Sequence, residues 1–154
     1  MVSAMNSKEA DKTGTTHTSP LTTHHSPTTA LLLIAHGSRQ PDANADLHHV
    51  AAAVREQHAY AIVEPAFLEL AKPTIVDAGK RCVEQGAGQV ILLPYFLSAG
   101  VHVLRDLTEA RTALSRQFPD VEFHLAEPLG RHPGLVEIVL QRARQAEADS
   151  KSRK

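Results

Sequence analysis

Leu31-Leu-Leu-Ile-Ala-His-Gly-Ser-Arg39 decides how this chain is read. Its first half is an unbroken apolar run too short for a helix. Strands of a parallel sheet look like this, because helices cover both of their faces and leave no position for water. The run ends in a glycine-containing turn, and the turn carries His36. A second stretch repeats the arrangement: Ile91-Leu-Leu-Pro-Tyr-Phe-Leu-Ser-Ala-Gly-Val-His102 again leads from apolar strand to glycine to histidine. In a doubly wound sheet the ligand crevice lies outside the carboxyl ends of the strands. Two imidazoles placed there point to a metal site or an acid/base pair.

Outward from these two stretches the chain alternates. Pro41-Asp42 opens a helix, with Asp42 as its cap and Leu47, Val50, Ala51 and Val54 on one face. Ala61 to Phe67 reads as a second strand interrupted by Glu64 and Pro65. Pro73 starts a helix carrying Ile75, Val76, Gly79, Cys82 and Val83, and Gly86 stops it. Val90 to Leu93 is a third strand. The helix after it begins near Val103 and carries Leu104, Leu107, Arg111, Leu114 and Phe118. Val121 to Ala126 is a fourth strand, and Pro133 opens a last helix with Leu135, Ile138 and Val139 inward. The fold class is therefore α/β: a small open parallel sheet of about four strands with helices on both faces. An open sheet of this size leaves edges, which a dimer would cover.

The domain spans residues 30–148. Residues 1–29 are rich in Ser, Thr, His and Pro without hydrophobic period, and are expected to be a disordered tail. Residues 149–154 are expected to be a frayed basic end. Formal net charge is -1 and pI about 6.8, so no basic face recommends nucleic acid or an anionic membrane. Aromatics make up 4% with no Trp, which removes a base-stacking platform. Cys82 is the sole cysteine, so no internal disulfide forms, as in a reducing compartment. No apolar run approaches the roughly 18–20 residues that span a bilayer. The expectation is a soluble, cytoplasmic protein.

Three polar groups fall past three successive strands: His36, Glu69 and His102. Two neutral imidazoles and a carboxylate suit a borderline divalent metal such as Co, Ni, Fe or Zn. Gly37 and Gly100 let the backbone bend beside each histidine. Arg39 and Arg105 lie near the same end and are suited to carboxylates. The other histidines have plainer readings. His48 and His49 sit on an exposed helix face, and His58 at the helix end. His124 alternates within a strand, and His132 shapes a turn before Pro133. His17, His24 and His25 fall in the tail. Cys82 is expected to be a buried helix residue, not a nucleophile.

Four segments, in order, resemble the motifs of the CbiX/SirB-like class II tetrapyrrole chelatases. They are His36-Gly-Ser-Arg39, Ala66-Phe-Leu-Glu-Leu-Ala-Lys-Pro73, Pro94-Tyr-Phe-Leu-Ser-Ala-Gly-Val-His102 with Asp106 beyond it, and Pro128-Leu-Gly-Arg-His-Pro133. The resemblance runs from Leu31 to about Arg144. It implies a chelatase-like, flavodoxin-like domain forming one half of the two-lobed enzyme, and a short form that pairs as a homodimer. It implies a lyase that inserts cobalt, iron or nickel into sirohydrochlorin on the way to cobalamin or siroheme, with no organic cofactor. His36 and His102 then present the metal and Glu69 assists deprotonation. Arg39, Lys72 and Arg105, with Gly37, Ser38 and Gly100, then form the tetrapyrrole-binding set. Val101 stands where many relatives have a second glycine, and Leu107-Thr108 where they commonly have Ile-Pro.

Two other readings fit parts of the pattern. A carrier of metal or tetrapyrrole would use the same pocket without turnover. A histidine-phosphatase-type enzyme also places His-Gly after its first strand, but usually with arginine before the histidine, where this chain has Ala35.

Overall fold

The computed structural model describes residues 26–152, so most of the expected tail lies outside the described residues. Strands and helices alternate: β1 (Thr29–Ala35), α1 (Pro41–Glu56), β2 (Ile62–Phe67), α2 (Ile75–Glu84), β3 (Gln89–Pro94), α3 (Val101–Gln117), β4 (Glu122–Leu125) and α4 (Pro133–Ser152). The strands form one parallel sheet in the order β2-β1-β3-β4. This is the α/β sheet the sequence leads one to expect. The order reverses between β1 and β3. The helix after β1 crosses one face and the helix after β3 crosses the other, which opens a crevice between their carboxyl ends.

Each face has its own core. Leu31 and Leu33 of β1 meet Leu47 and Ala51 of α1, with Val63 and Phe67 of β2. On the opposite face Leu32, Ile34 and Leu92 pack with Ile75, Ala78 and Cys82 of α2 and Leu107 and Leu114 of α3. β1 therefore buries residues on both sides, which is why its sequence is an unbroken apolar run. β2 is an edge strand and runs without the expected interruption. Pro65 is tolerated at an edge. Glu64 stays on the strand because α2 supplies its partners: Arg81 at 3.4 Å and Gln85 Nε2 at 2.9 Å.

Several element ends differ from expectation. Gln40, not Asp42, caps α1, without a side-chain hydrogen bond; Pro41 opens the helix and Asp42 sits in its first turn. Pro73 precedes α2, whose cap is Thr74; the Thr74 hydroxyl accepts from the Asp77 N–H at 3.2 Å. Gly86 does stop α2. It holds φ 93°, its N–H donates to the Val83 carbonyl, and the Ala87 N–H donates to the Cys82 carbonyl. Those two bonds satisfy carbonyls that the helix end would leave bare. α3 begins at Val101, so His102 is in a helix and not in the preceding turn. α4 continues to Ser152, past the boundary expected at 148. Its apolar residues do not face inward: Leu135 is half-buried, and Ile138 and Val139 are 51% and 66% exposed. Among the described residues no helix is long and apolar enough to cross a membrane.

Candidate active site

The turn after β1 is built around Gly37. Its φ of 91° suits glycine, and a Cβ there would stand 1.9 Å from the Glu69 carbonyl oxygen. That contact exists because the loops after β1 and β2 run together beyond the sheet. The Leu68 N–H donates to the Ala35 carbonyl and the Glu69 N–H to the His36 carbonyl, both at 2.9 Å. His36 and Glu69 are thus held side by side by backbone. Both line one open cavity of about 470 Å³, with Thr74, Ile75, Val103 and Asp106 among its walls. The His36 ring lies against Phe96, ring centres 4.4 Å apart and planes 28° from parallel. Phe96 is almost fully buried in the loop after β3, so the imidazole rests on a fixed surface.

His102 occupies the first turn of α3 and is exposed. It does not line that cavity; Asp106, one turn further along α3, does. Among the described residues no three of His, Cys, Asp and Glu are grouped closely enough to hold a metal ion. The structure therefore brings His36 and Glu69 together and leaves His102 outside their cavity. Gly100 does not make the bend expected of it. Its φ is -70° and a Cβ would meet nothing within 4 Å. Arg105 pairs with Asp106 at 3.6 Å and with Glu109 at 3.7 Å.

A second cavity, about 490 Å³, lies on the α1 side and is lined by Ser38, Arg39, Asn44, His48 and Lys72 among others. Arg39 and Lys72 thus share one opening. Lys72 leans on Asp77 at 3.6 Å. The Thr74 hydroxyl, then the Lys72 charge, hold the Asp77 carboxyl below its usual range. Ser38 works within its own loop. Its N–H donates to Asn44 Oδ1 at 2.9 Å, and its Oγ accepts from the Gln40 N–H at 3.0 Å. Cys82 lies fully buried away from both cavities. Burial, and after it the Glu64 charge, push its thiol up to about 12, which suits a core residue and not a nucleophile.

Sequence reading missed Phe96 and Asp106 as parts of the site. The signal for Asp106 was present, since it follows His102 by one helical turn and residues so spaced share a side of the helix. Nothing in the sequence pairs Phe96 with His36; the contact exists only because β1 and β3 are neighbours.

The chain as a whole is similar to known proteins. The chain is 36% identical over 112 residues to sirohydrochlorin ferrochelatase, chloroplastic, of Arabidopsis thaliana, a match covering 73% of this chain and 50% of that protein. It is 31% identical over 137 residues to sirohydrochlorin cobaltochelatase of Methanopyrus kandleri, covering 76% of this chain and 96% of the other. Its fold superimposes on the sirohydrochlorin chelatase SirB from Bacillus subtilis subspecies spizizenii in complex with cobalt, with a TM-score of 0.71 and 26% identity, over 77% of this chain and 50% of that one. The chain thus spans about half the length of the plant protein and of SirB, and nearly all of the Methanopyrus protein. With the CbiX family itself matching over residues 30–146, from β1 well into α4, the chain belongs to the CbiX family.

Proposed function

We propose that this chain is a chelatase that inserts a divalent metal into sirohydrochlorin or a related tetrapyrrole. The observation that carries the reading is the pair His36 and Glu69, locked together by backbone and facing one cavity at the carboxyl end of the sheet. Relatives named for ferrochelatase and for cobaltochelatase activity support the reaction class and leave the metal open. The affinity order of divalent ions for such donors is largely generic and does not choose among them; cobalt is our choice, on the relatives named for cobaltochelatase activity, with iron and nickel as the other candidates.

Insertion needs the metal to shed water and two pyrrole nitrogens to lose their protons while the ring is held. His36, braced by Phe96, takes the metal as it leaves water. His102, in the first turn of α3, is the second metal-presenting imidazole. Glu69 accepts the pyrrole protons, or joins the metal's ligands. Arg39 and Lys72, around the neighbouring cavity, hold the carboxylates of the polyanionic ring, with Arg105 on the α3 side. The working unit is a homodimer, and the protein is cytoplasmic.

The test is anaerobic conversion of sirohydrochlorin with Co²⁺, Fe²⁺ or Ni²⁺, followed by absorption against a protein-free control. His36→Ala and His102→Ala are expected to lose the acceleration. Glu69→Gln is expected to slow insertion by about 10²–10⁴-fold, the usual contribution of a general base. Retained rates in both histidine variants would remove the assignment. Binding of metal and tetrapyrrole with no acceleration by any of the three metals would leave a carrier on this fold.

A further inference from the structure

Seating a divalent metal in a tetrapyrrole breaks two pyrrole N–H bonds. Two protons must therefore leave the ring in each turnover, whatever the metal. Among the described residues, the side chains with a basic lone pair that line the cavity at the carboxyl end of the sheet are His36, Glu69 and Asp106. In the proposed function His36 is taken up by the metal. A neutral imidazole has one ring nitrogen free to accept, and the metal occupies it. That leaves two protons and two carboxylates, of which only Glu69 has a part.

The two carboxylates come to the cavity from different sides. Glu69 hangs on the loop after β2, tied by its N–H to the His36 carbonyl at 2.9 Å. Asp106 projects from α3, where Val103, Asp106 and Ala110 line the same wall. Residues three and four apart share one side of a helix, so this wall is an apolar strip carrying one acid. The acid does not serve the core. Its side chain is 47% exposed, and its partner Arg105, at 3.6 Å, is more exposed still. An open pair of this kind contributes about 0–1 kcal/mol. Asp106 also stands off from the other two groups, since among the described residues no three such side chains close around one ion. That separation suits a second proton better than a further metal ligand.

We propose that Asp106 is the second proton acceptor of metal insertion, taking the pyrrole proton that Glu69 does not. This rests on the chelatase reading and adds a residue to it. The step balances. Each carboxylate takes one proton as one N–H bond breaks, and the electron pair left on each nitrogen forms a bond to the incoming metal. The metal's two positive charges replace those of the two protons. Glu69 and Asp106 are both exposed, so each acid then gives its proton to water and is ready again. A single carboxylate would have to discharge its first proton before the second N–H could break. The two N–H groups of a tetrapyrrole lie on different pyrroles, so acceptors on two walls of the cavity fit them better than two on one wall.

The test is anaerobic insertion of Co²⁺ into sirohydrochlorin by the full chain, its rate read against sirohydrochlorin concentration for the wild type and for variants at position 106. Asp106→Asn keeps the shape of an exposed side chain and removes its basic oxygen. It is expected to keep the wild-type circular dichroism, Co²⁺ affinity and apparent KM, and to lose about 10²-fold or more in maximal rate, the scale of a general base. Asp106→Glu is expected to recover most of that rate. Asp106→Ala is expected to regain rate as formate is raised, a free carboxylate standing in for the lost one. Weaker Co²⁺ binding by Asp106→Asn would make Asp106 a metal ligand. A raised KM at the wild-type maximal rate would make it a holder of Arg105, and a loss indifferent to formate would make it structural. Each of these outcomes overturns the proposal. The double variant Glu69→Gln/Asp106→Asn is expected to be about as slow as the slower single variant, because the two protons leave in successive steps. Multiplied losses would put both carboxylates on one step and overturn the division between them. No insertion by the wild type would sink the chelatase reading and this proposal with it; insertion by the wild type that Asp106→Asn leaves undiminished would sink the proposal alone.

Discussion

Gly37 and Gly100 look alike in the sequence, each beside a histidine after an apolar strand, and the structure separates them. At Gly37 any side chain meets the Glu69 carbonyl oxygen at 1.9 Å with φ at 91°. Gly37→Ala is expected to cost at least about 2 kcal/mol in denaturant unfolding and to abolish insertion, because relief of the clash moves His36 away from Glu69. At Gly100 a Cβ meets open space at an ordinary φ. Gly100→Ala is expected to cost under about 1 kcal/mol in the same unfolding measurement, the difference between glycine and alanine at a helix cap. The requirement at Gly37 comes from a second loop that only the folded sheet brings alongside, so the sequence shows the glycine and not its necessity. Cys82 gives a pH dependence at the same scale. Its thiol rises from an ordinary 9.0 to about 12 in the folded chain. Stability from keeping it neutral is therefore complete below pH 9 and is lost as pH rises toward 12. Melting temperatures are expected to fall through that window less steeply in Cys82→Ala than in the wild type, each taken relative to its own value at pH 8.

The contact between α2 and α3 shows which effect wins inside an element pair. Gly79 lies mid-helix in α2, where alanine would gain about 1 kcal/mol in helix propensity. A Cβ there would stand 2.6 Å from a methyl of Leu114, which is fully buried and has nowhere to go. Overpacking costs roughly 1–3 kcal/mol, so Gly79→Ala is expected to destabilise. Leu114→Ala alone should cost about 2–5 kcal/mol. The double variant should cost less than the sum, because the cavity left by Leu114 takes the new methyl. Additive costs in a double-mutant cycle would show that the two positions do not share that space. Helix interiors and strand runs were legible because their apolar spacing follows from packing on the sheet. Helix starts were less so. Thr74 rather than Pro73 opens α2, and Gln40 rather than Asp42 caps α1, since those ends are set by which backbone groups the loops leave unpaired.

At the scale of the whole molecule, α4 explains both what the sequence foretold and what it did not. The pattern of Leu135, Ile138 and Val139 correctly marks a helix with an apolar face. It led to the expectation that the face turns inward, which holds only if a helix must pack on the sheet it follows. Val136, Ile138, Val139 and Leu140 instead stand exposed on α4. If the homodimer of the proposed function folds and associates as a single equilibrium, stability should depend on concentration. Each tenfold dilution removes about 1.4 kcal/mol from a dimer. For a unit of roughly 240 residues unfolding together, that lowers the melting temperature by about 2–4 °C. Calorimetry across a hundredfold range of wild-type concentration is expected to show this drift. A wild-type melting temperature indifferent to concentration would mean that a single copy is complete, and that the face of α4 is turned to water at no cost the chain needs a partner to offset.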